Sequence, residues 1–222
     1  MGLNIFDIIG PVMIGPSSSH TAGAVRIGRI AGVILGEPVK KAKIFLHGSF
    51  AQTYKGHGTN LALVAGLLGY DTDNPKIKQA LIEADNQGME VEFIPANLGS
   101  GFHPNTAKLV LTGASGNTTT VTGASVGGGN IVITQINQFK VDISGDYHAL
   151  IVSHEDKPGA IAKVTALLAE DGVNVAEMKV SREQKGDLAM MVIETDQEVS
   201  SEILAKIHHL SLTSSAIMVK PI

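Results

Sequence analysis

Residues 155–182, EDKPGAIAKVTALLAEDGVNVAEMKVSR, carry the pattern that decides the fold of the C-terminal part of this 222-residue chain. A tight turn at its start leads into apolar residues at helical spacing, which predict a helix over 159–171. Gly172 ends that helix, because glycine is the usual residue just past a helix end. A strand is predicted directly afterwards, over 173–181.

The segments on either side of this stretch complete a regular alternation of strands and helices. The predicted elements are a strand at 148–153, a hairpin turn at 182–187, a strand at 188–195, a helix from Ser200 to about His209 and a strand at 214–221. The resulting order, βαββαβ, predicts a ferredoxin-like domain. We place its boundary with the preceding domain at 145/146, within the sequence DISGDY.

Residues 1–145 are less regular and rich in glycine, and they predict a mixed α/β domain. Helices are predicted at 21–36, at 59–70 with Thr59 as cap, and at 74–88 with Asn74 as cap. Strands are predicted at 42–50, 89–95, 106–113, 117–126 and 129–137. The fold class predicted for the whole chain is α/β, or α+β, with a mixed N-terminal domain followed by the ferredoxin-like domain.

Composition and charge exclude several classes of partner. The formal net charge is −4 and no Lys/Arg cluster stands out, so the chain lacks the basic patch that a nucleic acid requires. Aromatic residues make up 4% and tryptophan is absent, which removes the stacking surfaces that bind single strands. No run of about 18 apolar residues could cross a membrane. The first residues lack a basic region and include Asp7, so we expect no signal peptide and a cytoplasmic location.

The chain contains no cysteine. This excludes disulfides, a thiol nucleophile and thiolate ligation of zinc or of an iron–sulfur cluster on this chain. Any cofactor of that kind must be held by another chain.

Five small polar residues stand in a row after Gly-Pro, where a helix is predicted to begin. They are Ser17, Ser18, Ser19, His20 and Thr21. One such residue is enough to cap a helix. Since a helix N-terminus also attracts carboxylate or phosphate, the run indicates an anion-binding site. A simple cap remains the alternative.

A second candidate segment is YKGHGTN, residues 54–60. Lys55 supplies a positive charge, His57 an acid or base near neutral pH, and the glycines allow close approach to a ligand. Thr59 is expected to cap the following helix. The alternative is a glycine turn that carries a surface histidine.

The three glycines of GASVGGGNI lie between two predicted strands. Gly127, Gly128 and Gly129 suit either a nest of N–H groups around an anion or a flexible turn. The sequence matches neither a P-loop nor a dinucleotide-binding pattern.

A fourth candidate segment is the turn before the 159–171 helix. Asp156 and Gly159 shape this turn, and Asn174 begins the next strand. In a βαββαβ domain this arrangement suits an amino-acid carboxylate as effector. A plain strand-to-helix turn is the alternative.

The other histidines give weaker signals. His47 and His103 lie beside predicted strands or turns, and whether they join a site stays open. Those expected to be structural or solvated are His148, His154, His208 and His209. A serine-hydrolase triad built on Ser17 and His20 is disfavoured because no nucleophile-elbow pattern is present.

Two family resemblances cover nearly the whole chain. The C-terminal domain, with the sequence of residues 155–182, resembles an ACT domain, a regulatory amino-acid-binding module. The N-terminal part resembles the beta chain of bacterial iron–sulfur L-serine dehydratases, through residues 6–28, 47–60, 101–105 and 124–131. That beta chain is related to a substrate-binding-like domain found in some phosphoglycerate dehydrogenases.

The dehydratase resemblance implies conversion of L-serine to pyruvate and ammonia without pyridoxal phosphate. A 4Fe-4S cluster on a separate alpha chain would act as a Lewis acid on the β-hydroxyl while a base removes the α-proton. His20 and His57 are the implied candidates for proton transfer. The implied substrate-binding residues are Ser17, Ser18, Ser19, Thr21, Lys55, Thr59, Gly127, Gly128 and Gly129.

The resemblance implies an alpha chain as partner. A small domain with an open sheet edge also predicts self-association through the ACT domain. The alternative function is a non-catalytic regulatory protein that binds an amino acid, related to the corresponding domains of phosphoglycerate dehydrogenase.

Overall fold

The computed structural model describes residues 11–222, which form two units. The division falls after Asn137, and the C-terminal unit comprises Gln138–Ile222. The boundary predicted from the sequence, 145/146, lies eight residues further along the chain. The structure divides earlier because a strand that was not predicted, β6 (Phe139–Ile143), contacts strands of the C-terminal unit.

The N-terminal unit is a mixed α/β structure, as predicted. Its helices are a π-helical turn at Ser18–Ala22, α1 (Gly23–Leu35), α2 (Gly48–Thr53), α3 (Thr59–Leu67), a 3-10 turn at Pro75–Gln79 and α4 (Ala80–Asn86). Its strands are β1 (Val39–Leu46), β2 (Glu90–Pro95), β3 (Thr106–Gly113), β4 (Thr118–Gly127) and β5 (Asn130–Ile136). They lie in the order β2-β1-β3-β4-β5, with β1 and β2 parallel and the other neighbours antiparallel.

Helices α1 and α3 cross at unusually short range because glycines lie at the crossing. A Cβ atom added at Gly28 would lie 2.2 Å from the carbonyl oxygen of Leu63, and one at Gly66 would lie 2.1 Å from that of Val25. The two backbones therefore touch with no side chain between them. This crossing brings together the chain segments that precede the two helices.

Several predicted boundaries in this unit are wrong. The predicted strand 42–50 ends at Leu46, and α2 takes up residues that were assigned to it. Thr59 does not cap α3: the N-cap is Gly58, in the left-handed region at φ 72°, and no side chain bonds there. Asn74 does act as a cap, accepting a hydrogen bond from the Lys76 N–H at 2.9 Å, but the helix begins as a 3-10 turn.

The C-terminal unit confirms the βαββαβ prediction. Its elements after β6 are β7 (His148–Glu155), α5 (Ala160–Glu170), β8 (Val175–Arg182), β9 (Leu188–Thr195), α6 (Ser201–His208) and β10 (Thr213–Val219). The sheet order is β10-β7-β9-β8, entirely antiparallel. The two helices pack on one face over a buried cluster that includes Leu150, Val164, Ile193 and Ile203.

A buried carboxylate lies on the other face of this sheet. Glu194 is only 8% exposed and faces Glu177 directly across β8 and β9. One of its oxygens, Oε1, has no hydrogen-bond partner among residues 11–222. Burial, with the nearby carboxylates of Glu177, Asp142 and Asp146, raises the pKa of Glu194, although a hydrogen bond from the Ser144 backbone opposes this.

Candidate functional site

The polar run at the start of α1 folds as a π-helical turn. Ser17 is its N-cap, and its hydroxyl accepts a hydrogen bond from the His20 N–H at 3.2 Å. The Ser18 carbonyl accepts from the N–H of Gly23, five residues later, which gives the turn its wide form. Such insertions occur frequently at functional sites.

His20 is half-buried inside this turn, and both of its ring nitrogens lie near hydroxyl groups. Nε2 is 3.0 Å from Ser49 Oγ, and Nδ1 is 3.4 Å from Ser17 Oγ. The ring also makes an edge contact with Phe50 at 5.3 Å between centroids. Its orientation is therefore fixed from several sides.

His57 lies beside His20. The two ring centroids are 4.7 Å apart and the planes are nearly perpendicular, at 86°. A second link joins the two segments, because the Thr21 hydroxyl donates to the His57 carbonyl at 3.4 Å. His57 itself is exposed, on the loop that leads through Gly58 into α3.

The environment of His20 favours its neutral form. Burial lowers the pKa of His20, and the charge that His57 carries when protonated lowers it further. Two adjacent imidazoles resist double protonation because like charges repel. The pair therefore resists carrying two positive charges, and His20 loses its proton more readily than a free imidazole does.

A cavity of about 150 Å³ opens next to this pair. Its lining residues are Ile14, Gly15, Pro16, Thr21, His57, Gly58, Leu61, Ile77 and Lys78. Its size suits a small metabolite better than a nucleotide, since sites for drug-sized ligands usually exceed about 300 Å³. Its wall is largely apolar, and the polar residues that border it are His57, Thr21 and Lys78.

Other predicted substrate-binding residues lie outside this lining. Lys55 is exposed and its ammonium nitrogen lies 5.7 Å from the centre of the Tyr54 ring. Thr59 is fully buried, and its hydroxyl has no partner within residues 11–222. Ser18 and Ser19 are half-buried and do not belong to the described lining.

The three glycines form the turn between β4 and β5, with positive φ angles of 120°, 61° and 89° at Gly127, Gly128 and Gly129. The Gly129 carbonyl accepts a hydrogen bond from the Arg26 guanidinium at 3.0 Å. This turn therefore ties the β4–β5 hairpin to α1.

The two histidines left open by the sequence are bonded in loops. His47 Nδ1 accepts a hydrogen bond from the Leu98 N–H at 3.1 Å. His103 Nδ1 accepts one from the Asn105 N–H, also at 3.1 Å. Both rings thus organise their own loops in this structure.

The predicted effector residues are divided between two places in the C-terminal unit. Asp156 and Gly159 line a cavity of about 390 Å³ together with Arg182 and Lys185. The Gly186 N–H and the Arg182 guanidinium bond to Asp156 and lower the pKa of its carboxyl group. Asn174 is not part of this lining, and its side chain donates to Asp196 Oδ2 at 2.7 Å.

The described residues show no metal centre and no membrane span. Within 11–222, no group of three or more His, Asp or Glu side chains converges to hold a metal ion. The sequence also has no cysteine, so this chain offers no thiolate to an iron–sulfur cluster. Over the same range, none of the helices is long and apolar enough to cross a bilayer.

Two residues of the site were missed at the sequence level, Ser49 and Lys78. Ser49 lies in HGSF, where attention fell on His47, and its contact with His20 is 29 residues distant in sequence. Lys78 lies on the 3-10 turn of what the sequence predicted as an ordinary amphipathic helix. Neither carries a local signal of its role.

Comparison with known proteins agrees with the resemblances. Residues 4–136 match the family model "Serine dehydratase beta chain", and residues 148–211 match the ACT domain. The chain is 46% identical over 207 residues to "Probable L-serine dehydratase, beta chain" of Bacillus subtilis, covering 93% of each protein. It is 35% identical over 202 residues to "L-serine dehydratase, beta chain" of Peptoniphilus asaccharolyticus, covering 91% of each.

A more distant similarity links the chain to D-3-phosphoglycerate dehydrogenases. The enzyme of Synechocystis is 28% identical over 200 residues, which is 89% of this chain but 35% of that protein. The resemblance predicted from the sequence is thus confirmed over both units. The chain belongs to the serine dehydratase beta chain family and carries an ACT domain in its C-terminal unit.

Proposed function

We propose that this chain is the beta subunit of an L-serine dehydratase, which forms pyruvate and ammonia from L-serine together with an alpha chain. The observation that carries the proposal is the pair of imidazoles, His20 and His57, 4.7 Å apart beside a small cavity. Relatives that bear this name match the chain over more than nine-tenths of their own length.

The chain's contribution to the reaction is proton transfer and substrate orientation. Loss of water from serine requires removal of the α-proton, and a neutral imidazole of the pair accepts it. The ammonium of Lys78, a residue that lines the cavity, is the group proposed to hold the carboxylate, because the Thr21 hydroxyl already donates its proton to the His57 carbonyl. The aminoacrylate product then hydrolyses to pyruvate and ammonia.

We assign the iron–sulfur cluster to the alpha chain, because this chain offers no thiolate. When bound there, such a cluster supplies Lewis-acid chemistry at the substrate hydroxyl. A cytoplasmic location fits this assignment, since cysteine ligands must stay reduced and the cytosol keeps them so.

The regulatory alternative is less well supported. The phosphoglycerate dehydrogenases share this chain's two domains over only about a third of their length, whereas the dehydratase beta chains match almost end to end. A pure amino-acid sensor also has no need of paired imidazoles.

For the C-terminal unit we propose effector binding at the turn of Asp156 and Gly159. Arg182 and Lys185, from the β8–β9 hairpin, add positive charge to that cavity, which suits a carboxylate. Asn174 lies outside the cavity, so its part in effector binding requires a contribution from elsewhere, such as a second copy.

We propose that this second copy docks along β8, which is an edge strand of the sheet. Met178 and Val180 on this strand are exposed, at 38% and 39%. Open apolar edges are unfavourable unless they are covered.

Val180→Lys should shift the full beta chain towards monomer in sedimentation, whereas Ile82→Lys, at another exposed apolar position, should not. Unchanged association of Val180→Lys would contradict the assignment.

The function is tested by reconstitution. The beta chain alone should be colourless and inactive on L-serine, and anaerobic co-expression with the alpha chain should give pyruvate formation. Turnover or a visible iron–sulfur absorbance from the beta chain alone would refute the proposal. A serine-hydrolase reading is checked with a fluorophosphonate, which should not label the protein.

A further inference from the structure

The backbone of Ser49 is held in place where its hydroxyl meets the ring of His20. Ser49 lies at the start of α2, and its carbonyl accepts a hydrogen bond from the Thr53 hydroxyl at 2.8 Å. The helix is anchored because Gly48, at φ 55°, sits so close to Pro104 that a Cβ would lie 2.7 Å from the Pro104 carbonyl oxygen. The Cα position from which the Ser49 hydroxyl reaches His20 is therefore well defined.

The His20 ring contacts the Ser49 hydroxyl and does not line the cavity next to His57. Its Nε2 lies 3.0 Å from Ser49 Oγ and its Nδ1 lies 3.4 Å from Ser17 Oγ. The cavity is lined by His57, and His20 is not part of that lining. The proton-accepting atoms of His20 are thus occupied by protein hydroxyls, while His57 is accessible.

We propose that Ser49 is a positioning residue of the dehydratase site: it fixes the tautomer and ring plane of His20, which in turn orients His57 towards the substrate. The proposal rests on the proposed function and deepens it. His57 becomes the group that moves the substrate proton, and His20 acts through it. The hydrogen bond made by one ring nitrogen sets the protonation of the other, so loss of the Ser49 hydroxyl at Nε2 changes the balance between the two His20 tautomers.

Ser49 is not explained by a role in building α2. The N-cap of this helix is His47, and no side chain makes a capping hydrogen bond there. A merely structural Ser49 would change stability without changing the state of the His20 ring.

The experiment compares Ser49→Ala with Ser49→Thr, which keeps a hydroxyl, and with Gln52→Ala as control on the same helix. Gln52 is exposed and lies outside the site. The first readout is the pair of imidazole ¹⁵N shifts of His20 in the ¹⁵N-histidine-labelled full beta chain. The eight histidines are distinguished by the signal lost in His20→Gln. The second is kcat and KM for L-serine in the reconstituted enzyme.

We expect one dominant His20 tautomer in the wild type and in Gln52→Ala, and an averaged mixture in Ser49→Ala. We expect kcat to fall about 10- to 100-fold in Ser49→Ala with little change in KM, because a small misplacement of reacting groups costs up to about that much. Ser49→Thr should restore most of it.

Unchanged His20 shifts in Ser49→Ala, wild-type kcat in that variant, or equal losses in Ser49→Ala and Ser49→Thr would each overturn the proposal. If the wild-type complex does not turn over L-serine, the proposed function fails. The nitrogen shifts still decide independently whether Ser49 fixes the His20 ring.

Discussion

Replacing Gly28 by alanine should break the helix crossing on which the site depends. Gly28 lies in the middle of α1, and an added Cβ would meet Leu63 O at 2.2 Å and the backbone of Leu67 at 3.1 Å. Ordinary van der Waals contact of a Cβ atom begins at 3.4 Å, so α1 and α3 must move apart by about 1.2 Å to accept the methyl group. The obstacle is backbone, which cannot rotate away as a side chain can.

The magnitude follows from two opposing effects. Alanine gains about 1 kcal/mol over glycine inside a helix. Forcing an extra carbon into a packed interior costs about 1–3 kcal/mol, and contact with backbone places Gly28→Ala at the upper end or beyond. We expect a net loss of about 2 kcal/mol. Gly32→Ala, one turn further along α1, meets its nearest atom at 3.5 Å and should be neutral or up to about 1 kcal/mol more stable.

Urea unfolding of the beta chain, followed by far-ultraviolet circular dichroism, measures this difference. The reconstituted Gly28→Ala enzyme should also lose turnover, because the π-helical turn that holds His20 runs directly into α1, and α3 follows His57. A displacement of about 1 Å can cost about 100-fold in rate. If Gly28→Ala is as stable as Gly32→Ala, the close crossing is not a determinant of this fold and the reasoning is refuted.

Three further outcomes are expected. His57→Ala should lower kcat about 10²- to 10⁴-fold while leaving assembly with the alpha chain intact by sedimentation, and near-normal turnover would exclude it as the base. Burial lowers the pKa of His20 below 6.5, so the stability that the neutral His20 ring contributes is fully present above pH 6.5 and is lost as the pH falls through the lowered pKa. His20→Gln should therefore make the free energy of unfolding depend less on pH on the acid side. Burial raises the pKa of Glu194 above 4.5, so the stability that the protonated Glu194 side chain contributes is fully present below pH 4.5 and is lost as the pH rises through the raised pKa. At neutral pH, Glu194→Gln should therefore raise the melting temperature more than Glu177→Gln does. Equal melting temperatures of the two variants would contradict this.

The C-terminal unit could be predicted closely because its signals are local. Ser200 begins α6 and its hydroxyl accepts from the Ile203 N–H at 3.3 Å, as the sequence indicated. Gly172, at φ 68°, follows α5 in the left-handed conformation that terminates helices. Where residues adjacent in the sequence determine the local structure, the spacing and type of residues are enough to predict it.

The N-terminal site could be predicted only in part, because distant contacts decide its details. The run AKIFLHGSF, residues 42–50, has the composition of a strand, but the close approach of Gly48 to Pro104 bends the chain into α2. That contact places Ser49 beside His20. The two lysines near the site illustrate the same limit. The charge of Lys55 predicted a contact with the ligand, but its ammonium group lies over the Tyr54 ring. Lys78, which the sequence did not single out, lines the cavity.

The geometry also explains why five small polar residues precede α1. Ser17 caps the turn and approaches His20, the Ser18 carbonyl closes the wide π turn on Gly23, and the Thr21 hydroxyl bonds to the His57 carbonyl. A single capping residue would satisfy an α-helix start, but it could not also fix one histidine and join the loop of another. Gly15 packs directly against Thr21, since a Cβ added at Gly15 would lie 2.3 Å from the Thr21 methyl group. Much of the run therefore orients the imidazole pair, and Thr21 is the member of the run that also lines the cavity.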